Sequence, residues 1–317
     1  MLFTKSNVLE GLGSAEVCGV RQAAGLQVFG LKWPGANGSD YLTLDEALEQ
    51  RTLEVTEVDA GGRVPTLKVA NKSRRMVFLM AGEELVGGKQ NRVLNASMMV
   101  PAQGDLPVPV TCVERGRWGY KSQRFSSGTT SSHSHLRMMM SRQVTGSYKA
   151  VGAPKSDQGA VWSEVARKMD KMGSKSSSDA LHDLFRDYAK KLDELVGNFS
   201  LPEGSNGAAF AIGGKIVGAD FFDKPGTLKK LWSKLVRSYA ADALEEPKEK
   251  SPEVESDRVT EWLKSASSAK QHWFDSPGVG KDVRIEGEKL VGATLVVDEH
   301  PVHLELFREE DPVGARS

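Results

Sequence analysis

The sequence predicts an α+β fold: a β-sandwich or half-open barrel core with a helical insertion between its N- and C-terminal strands. Three observations carry that expectation. Five or six short apolar runs with strand periodicity precede Gly82, runs at three-and-four spacing occupy the middle from Val161 to Tyr239, and alternating residues return after Lys270.

From Ala15 to Trp33, β-formers Val17, Val20, Val28 and Phe29 are broken by Gly19, Gly25 and Gly30, the pattern of a hairpin. Pro34 to Asp40 reads as a loop. Thr43-Leu44-Asp45-Glu46 fits a capping box opening a short helix that ends near Gln50. Leu53 to Val58, Val64 to Ala70 and Met76 to Met80 are strands around turns at Gly61-Gly62 and Asn71-Lys72-Ser73. Val93 to Val100 and Val108 to Glu114 are expected to pair through a loop holding Gly104 and Asp105. Lys121 to His135 is rich in Ser, Thr and Gly and predicts a mobile loop, placed to act as a lid.

Val161, Trp162, Val165, Met169 and Met172 share a helical face. Leu181, Leu184, Phe185, Tyr188, Leu192 and Leu195 make a second after a cap at Ser178-Asp179. Gly207 to Phe222 reads as an apolar hairpin turning on Gly213-Gly214. Pro225 opens a helix carrying Leu228, Leu231, Trp232, Leu235 and Tyr239. Glu245 to Ser256 is a charged linker, Val259 to Leu263 a short helix, and Lys270 to Leu306 three or four strands before a frayed tail. One interwoven domain over 1–317 is expected: 1–120 mainly β, 155–245 helical with a β-hairpin, 257–308 helix then strands.

The 317 residues balance 42 Lys and Arg against 42 Asp and Glu, so no global field draws the chain onto nucleic acid or an anionic membrane. No run reaches the roughly 18 apolar residues of a membrane span, and Met1 to Lys5 is no signal peptide, so a soluble cytoplasmic protein is expected. Cys18 and Cys112 are too few for a disulfide framework or a Cys-based zinc site. His133 and His135 lie in a Ser-rich setting and read as solvated; His300 and His303 fall on opposite faces of a strand.

The unusual stretch is Gly82 to Trp118. Glu83 and Glu84 precede a Gly87-Gly88 turn, and Lys89, Gln90, Asn91 and Arg92 follow, a poor core and a good site. Cys112, Glu114, Arg115, Arg117 and Trp118 form a second polar cluster, expected beside the first. The runs GEELVGGKQNRVLN and PVPVTCVERGRW resemble the ARG and rhodanese-phosphatase-superfamily-associated protein domain family, largely uncharacterised prokaryotic proteins. YLTLDEAL, DQGAVWSEV and GGKIVGADFFDKPGTLKKLWSKLVRSY extend the likeness over nearly the whole chain. The family's name records association with ADP-ribosylglycohydrolases and phosphatase-like proteins; the resemblance implies no reaction.

The chemistry of these residue types suggests a phosphate-bearing, nucleotide-type ligand of the ADP-ribose kind. Lys89, Arg92 and Arg117 would meet phosphates, Gln90 and Asn91 would fix hydroxyls, and Trp118 would stack. Catalysis would add Glu83, Glu84 or Glu114 as general base or as ligands of Mg2+. No Walker, Rossmann, GxSxG or HExxH pattern is present, so enzyme status stays open. The alternative is a non-enzymatic interaction or scaffold module whose charges form a structural network, with Trp118 and Trp273 anchoring a partner. A nucleic-acid role ranks third for want of basic stripes.

Overall fold

The computed structural model describes residues 8–34, 40–245 and 252–309. β1 (Glu16–Ala23) and β2 (Leu26–Lys32) form the expected hairpin. β3 (Tyr41–Thr43) leads into α1 (Leu44–Glu49), where Thr43 and Glu46 close the capping box. β4 (Leu53–Glu57), β5 (Thr66–Asn71), β6 (Met76–Leu79) and β7 (Glu83–Gly87) follow. Then come β8 (Arg92–Leu94), β9 (Met98–Val100), β10 (Gly104–Cys112) and β11 (Phe125–Ser131). β11-β7-β8-β10-β5-β4 make a six-stranded sheet and β3-β6-β9 a three-stranded one. The larger sheet curls into a half-barrel, and a 3.0 Å ion pair joins Arg124, just before β11, to Glu54 on β4 at the opposite edge. Leu53, Val55, Leu67, Val69, Leu85, Leu94, Val108 and Val110 of this sheet share one core with Leu79, Met98 and Val100 of the smaller one.

α2 (Ser134–Val151), α3 (Gln158–Met172), α4 (Leu181–Asp187) and α5 (Ala189–Gly197) precede a hairpin of β12 (Gly207–Ile212) and β13 (Lys215–Phe222). α6 (Pro225–Glu245), α7 (Ser256–Ala266), β14 (Lys270–Asp275), β15 (Lys281–Gly287), β16 (Leu290–Val297) and β17 (His300–Arg308) complete the fold. The eight-stranded sheet runs β1-β2-β12-β13-β17-β16-β15-β14, so the first hairpin and the last four strands flank the middle one. One face packs on α2 and α6, with α3 behind them; the other, with Phe29, Leu31, Ile285 and Leu304, packs on α7.

Four expectations change. Lys121 to His135 is not a loop throughout: Phe125–Ser131 is β11, paired with β7, because strand hydrogen bonds hold a Ser/Thr run that has few apolar anchors. The run Val93 to Val100 is split at Asn95-Ala96-Ser97, so β8 pairs with β10 while β9 joins β6 in the other sheet; Gly104 and Asp105 lie inside β10. α2 went unread because Arg137, Ser141 and Thr145 share its buried face with Leu136, Met140 and Val144, which blurs the apolar stripe. The Leu181 stripe is two helices joined at Tyr188, and its N-cap is Ala180 with no side-chain cap, not Ser178-Asp179. Most of the charged linker (246–251) and the tail (310–317) lie outside the described residues.

Candidate functional site

Strand alternation decides which polar side chains face inward. On β4, Leu53, Val55 and Glu57 are buried while Glu54 and Thr56 are half-buried; on β8, Arg92 is in phase with Leu94, and its register partners are Leu85 and Cys112. Glu57 and Arg92 therefore prolong the apolar rows of the half-barrel core with charge. Gly87 and Gly88, both with positive φ, let the turn close onto Phe125 and Glu57: a Cβ on Gly88 would lie 2.1 Å from the Phe125 ring and 2.9 Å from Glu57 Oε1.

The two polar clusters meet, as expected, and most of their hydrogen bonds close on each other. Arg117 is saturated: Nε and Nη2 donate to Glu114 at 2.8 and 2.5 Å, Nη1 to the carbonyls of Gly88 and Gly119, and Nη2 also to Gly87 O and Asn91 Oδ1. Glu114 also accepts from the Asn91 amide at 3.0 Å and the Ser178 hydroxyl at 2.7 Å. Burial would raise the Glu114 carboxyl, but Arg117, Asn91 and Ser178 outweigh it and hold it below its ordinary range, which makes it a weak base. Gln90 Nε2 donates to Glu114 O, and Asn91 Oδ1 accepts from Gly87 N.

Glu83 and Glu84 diverge. Glu83 accepts from Lys234 Nζ at 2.7 Å and Met80 N at 2.8 Å; Lys234 also holds Asp45 and Ser127, and these carboxylates outweigh burial and raise the lysine. Adjacent strand residues face opposite ways, so Glu84, opposite Val93, lies on the other sheet face from Arg92. It pairs with His182 Nδ1 at 3.1 Å. Burial pushes the Glu84 carboxyl up, with repulsion from Glu114 and Asp183 adding to it, and Glu84 in turn raises His182. The three carboxylates nominated for Mg2+ each have a different cationic or imidazole partner and do not form a shared ligand set.

Arg92 is the exception. It is fully buried, yet only Nη1 finds acceptors, Gln90 Oε1 at 3.3 Å and Asn91 O at 3.5 Å, while Nε and Nη2 have no hydrogen-bond partner. Burial pulls its pKa down, helped by Arg117 and opposed by Cys112, Glu57 and Glu114; a guanidinium stays charged regardless. Glu57 Oε1 accepts the Lys89 amide at 3.0 Å, and its Oε2 is likewise buried and without a hydrogen bond. Trp118, 51% exposed, lies 5.8 Å from the Arg92 guanidinium, and the Lys89 ammonium stands 5.4 Å from the Trp118 ring and 5.1 Å from the Tyr120 ring. A cavity of about 160 Å³ between α1, β4 and Phe125 is smaller than the roughly 300 Å³ of ordinary small-molecule sites and is lined by none of the nominated residues.

Sequence reasoning missed a second constellation. Asp220, Glu305, Ala293 and Arg284 stand in register across β13, β17, β16 and β15. Arg137 from α2 donates to Asp220 and, at 3.1 Å, to Glu305; Tyr239 donates to Asp220 at 2.9 Å. His303 bridges Ser97 (2.8 Å) and Asp220 (3.2 Å). Asp220, His303 and Glu305 are the one group with metal-ligand spacing among the described residues, and Arg137 already binds both carboxylates. Burial alone would raise Asp220; Arg137 and His303 hold it well below the carboxylate range. His133 is also not solvated: it is buried, caps α2 and sits 3.0 Å from Asp242, whereas His135 is exposed. The readable signal was phase: Glu57 in step with Leu53 and Val55, and Asp220 in step with Phe222.

Curled half-barrel, eight-stranded sheet and buried charge clusters together define an α+β protein with polar groups enclosed in its core. The chain belongs to the ARG and Rhodanese-Phosphatase-superfamily-associated Protein domain family, which matches residues 14–307. No curated protein and no solved structure matches it. No helix among the described residues is long and apolar enough to cross a membrane.

Proposed function

We propose that the protein binds a phosphate-bearing, nucleotide-type ligand at the end of the half-barrel where Arg92, Lys89 and Trp118 meet. One observation carries the reading: a buried guanidinium with two unpaired nitrogens. Enclosing an ion costs several kcal/mol unless its hydrogen bonds are met, and phosphate oxygens match the guanidinium fork. Trp118 and Tyr120 offer ring faces that Lys89 covers in the free protein, and entry requires Trp118 and Lys89 to swing aside. Glu114, Arg117, Gln90 and Asn91 hold the site's frame. Glu83 is engaged by Lys234, so Glu84 with His182 is the remaining acid–base pair, and it lies on the far side of the sheet from Arg92; binding therefore needs no chemistry from the carboxylates.

The alternative, a non-enzymatic interaction or scaffold module, draws support from the same cluster's internal pairing, since Glu83 is held by Lys234 and Glu114 by Arg117. A thermal-shift and calorimetric series with ADP, ADP-ribose and adenosine separates the two. Native-state binding raises apparent stability. The ligand reading requires ADP and ADP-ribose to stabilise wild type, adenosine to do so at least ten-fold less well, and Arg92→Met to abolish the response. No response to either phosphate compound would leave the scaffold reading ahead.

A further inference from the structure

Arg92 is not the only open group at this end of the half-barrel. Glu57 and Arg92 each face inward from the strand phase that elsewhere carries Leu, Val and Cys. Each is tied on one side and open on the other: Glu57 Oε1 to the Lys89 amide, Arg92 Nη1 to Gln90, leaving Oε2 on one residue and Nε and Nη2 on the other without hydrogen bonds. The two charges attract electrostatically but form no hydrogen-bonded pair. Gly62, with positive φ, fits against this carboxylate: a Cβ there would lie 3.3 Å from Glu57 Oε2.

A phosphate monoester without a hydroxyl would satisfy only half of this arrangement. The oxygens of its dianion accept from Arg92 but offer a carboxylate no donor, and the dianion is repelled by it. A ligand with an O–H or N–H beside its phosphate satisfies both, because a carboxylate is an acceptor that needs a donor. Leaving a buried polar group unmet costs on binding, which is why sites built for a hydroxyl discriminate strongly against analogues lacking it. With Arg92 and Lys89 against Glu57 the immediate surroundings carry one net positive charge, suited to an anion that also brings a neutral donor.

Resting on the ligand reading above, we infer that Glu57 is a specificity-determining residue that selects hydroxylated phosphates, sugar phosphates above all, over phosphates without a neighbouring hydroxyl. Arg92 supplies the anion contact and Glu57 Oε2 accepts from the sugar hydroxyl, so each completes the hydrogen bonding the other lacks.

The test is calorimetric titration of the full chain with ribose 5-phosphate, with ethyl phosphate, which has the same monoester anion and no hydroxyl, and with inorganic phosphate. Wild type should bind ribose 5-phosphate at least ten-fold more tightly than ethyl phosphate. Glu57→Gln keeps an acceptor for the Lys89 amide while removing the charge, and should bring the ratio below about three, chiefly by weakening ribose 5-phosphate and relieving repulsion of ethyl phosphate. Arg92→Met should lose both ligands. Equal affinity of wild type for the two esters, with both lost in Arg92→Met, would overturn the role of Glu57 and leave the anion site standing. Absence of wild-type binding to all three would overturn the anion site as well. Equal wild-type affinities for the two esters would overturn the role of Glu57 even if Glu57→Gln fails to fold.

Discussion

Arg92 and Arg137 are both arginines buried to 2% exposure or less, and they are solvated by the protein in opposite ways. Arg137 lies among Asp220, Glu305, His303 and Tyr239, and its terminal nitrogens carry hydrogen bonds to two carboxylates. Arg92 has one neutral amide oxygen, a distant carbonyl and an aromatic ring. In the cluster that fastens α2 to the eight-stranded sheet only Nε of Arg137 lacks a hydrogen bond, whereas at Arg92 both Nε and Nη2 lack one, the unmet capacity on which the proposed ligand site rests. Burial alone does not separate the two arginines; the number of acceptors each one finds does.

The largest test of that contrast is Arg137→Met. It strands Asp220 and Glu305 in the interior and should cost on the order of 3 to 5 kcal/mol in denaturant unfolding at neutral pH, with Asp220→Asn recovering part of the loss in the double variant. Asp220 is held low in the wild type, so the stability it contributes is present above about pH 4 and is lost as pH falls toward its folded value. Without Arg137, burial raises Asp220 instead, so the variant's deficit should shrink below about pH 5. A deficit independent of pH would show that lost packing, and not a stranded charge, dominates.

Asp220 also has a counterpart three residues on. Asp223, buried, accepts from Tyr41, and burial, countered only in part by Tyr41 and Lys224, pushes its carboxyl up to about 6. Its folded pKa exceeds the unfolded value near 3.9, so the folded state holds the proton more tightly and the contribution of Asp223 to stability falls as pH rises from about 4 to about 6. The expected loss across that window is about 3 kcal/mol, from roughly two pH units at ~1.4 kcal/mol each. Asp223→Asn should flatten that slope in chemical denaturation followed across pH.

Glu83→Gln is expected to cost roughly 1 to 3 kcal/mol, because Lys234 keeps Asp45 and Ser127 as partners. Combined with Arg92→Met it should show coupling below about 0.5 kcal/mol, since the two residues share no partner. Arg92→Met alone should leave stability unchanged or raise it by up to about 1 kcal/mol, as an apolar isostere removes an ion whose desolvation is not repaid. Loss of more than about 2 kcal/mol in urea unfolding would place Arg92 with Arg137 as structure.

The difference between the two arginines also explains what could be read from the chain. Period two and the Gly-rich turns gave the first hairpin, the β12–β13 hairpin and the C-terminal strands, and Thr43 to Glu46 gave the cap, because those signals are local. The Gly82 to Trp118 stretch stood out because Lys89 to Arg92 is polar where strands continue on either side. Which of its residues stay unsatisfied was invisible, since Arg117 finds Glu114 three residues away and Glu83 finds Lys234 over 150 positions later. The Arg137 cluster joins α2, β13, β17 and the Asn95 to Ser97 corner, contacts no short-range pattern encodes. Only Glu57, in phase with Leu53 and Val55, and Asp220, in phase with Phe222, were within reach as buried carboxylates.

The smallest effect on stability should come from Lys89→Met. Lys89 Nζ bonds Gly61 O at 2.6 Å and lies over two exposed rings, and methionine preserves the stem that packs there. Surface changes of this kind stay within about 0.5 kcal/mol, so thermal unfolding should barely shift. Binding is where the substitution is informative. If Lys89 turns from Trp118 to meet a phosphate, its loss should weaken ADP-ribose about ten-fold and reduce the salt dependence of binding, because an exposed point charge is screened by ions. If it only covers the ring, removing it frees the face of Trp118 and affinity should rise with no change in salt slope. Calorimetry of wild type and Lys89→Met at two ionic strengths decides between them, and a rise in affinity would leave Arg92 as the sole anion contact of the site.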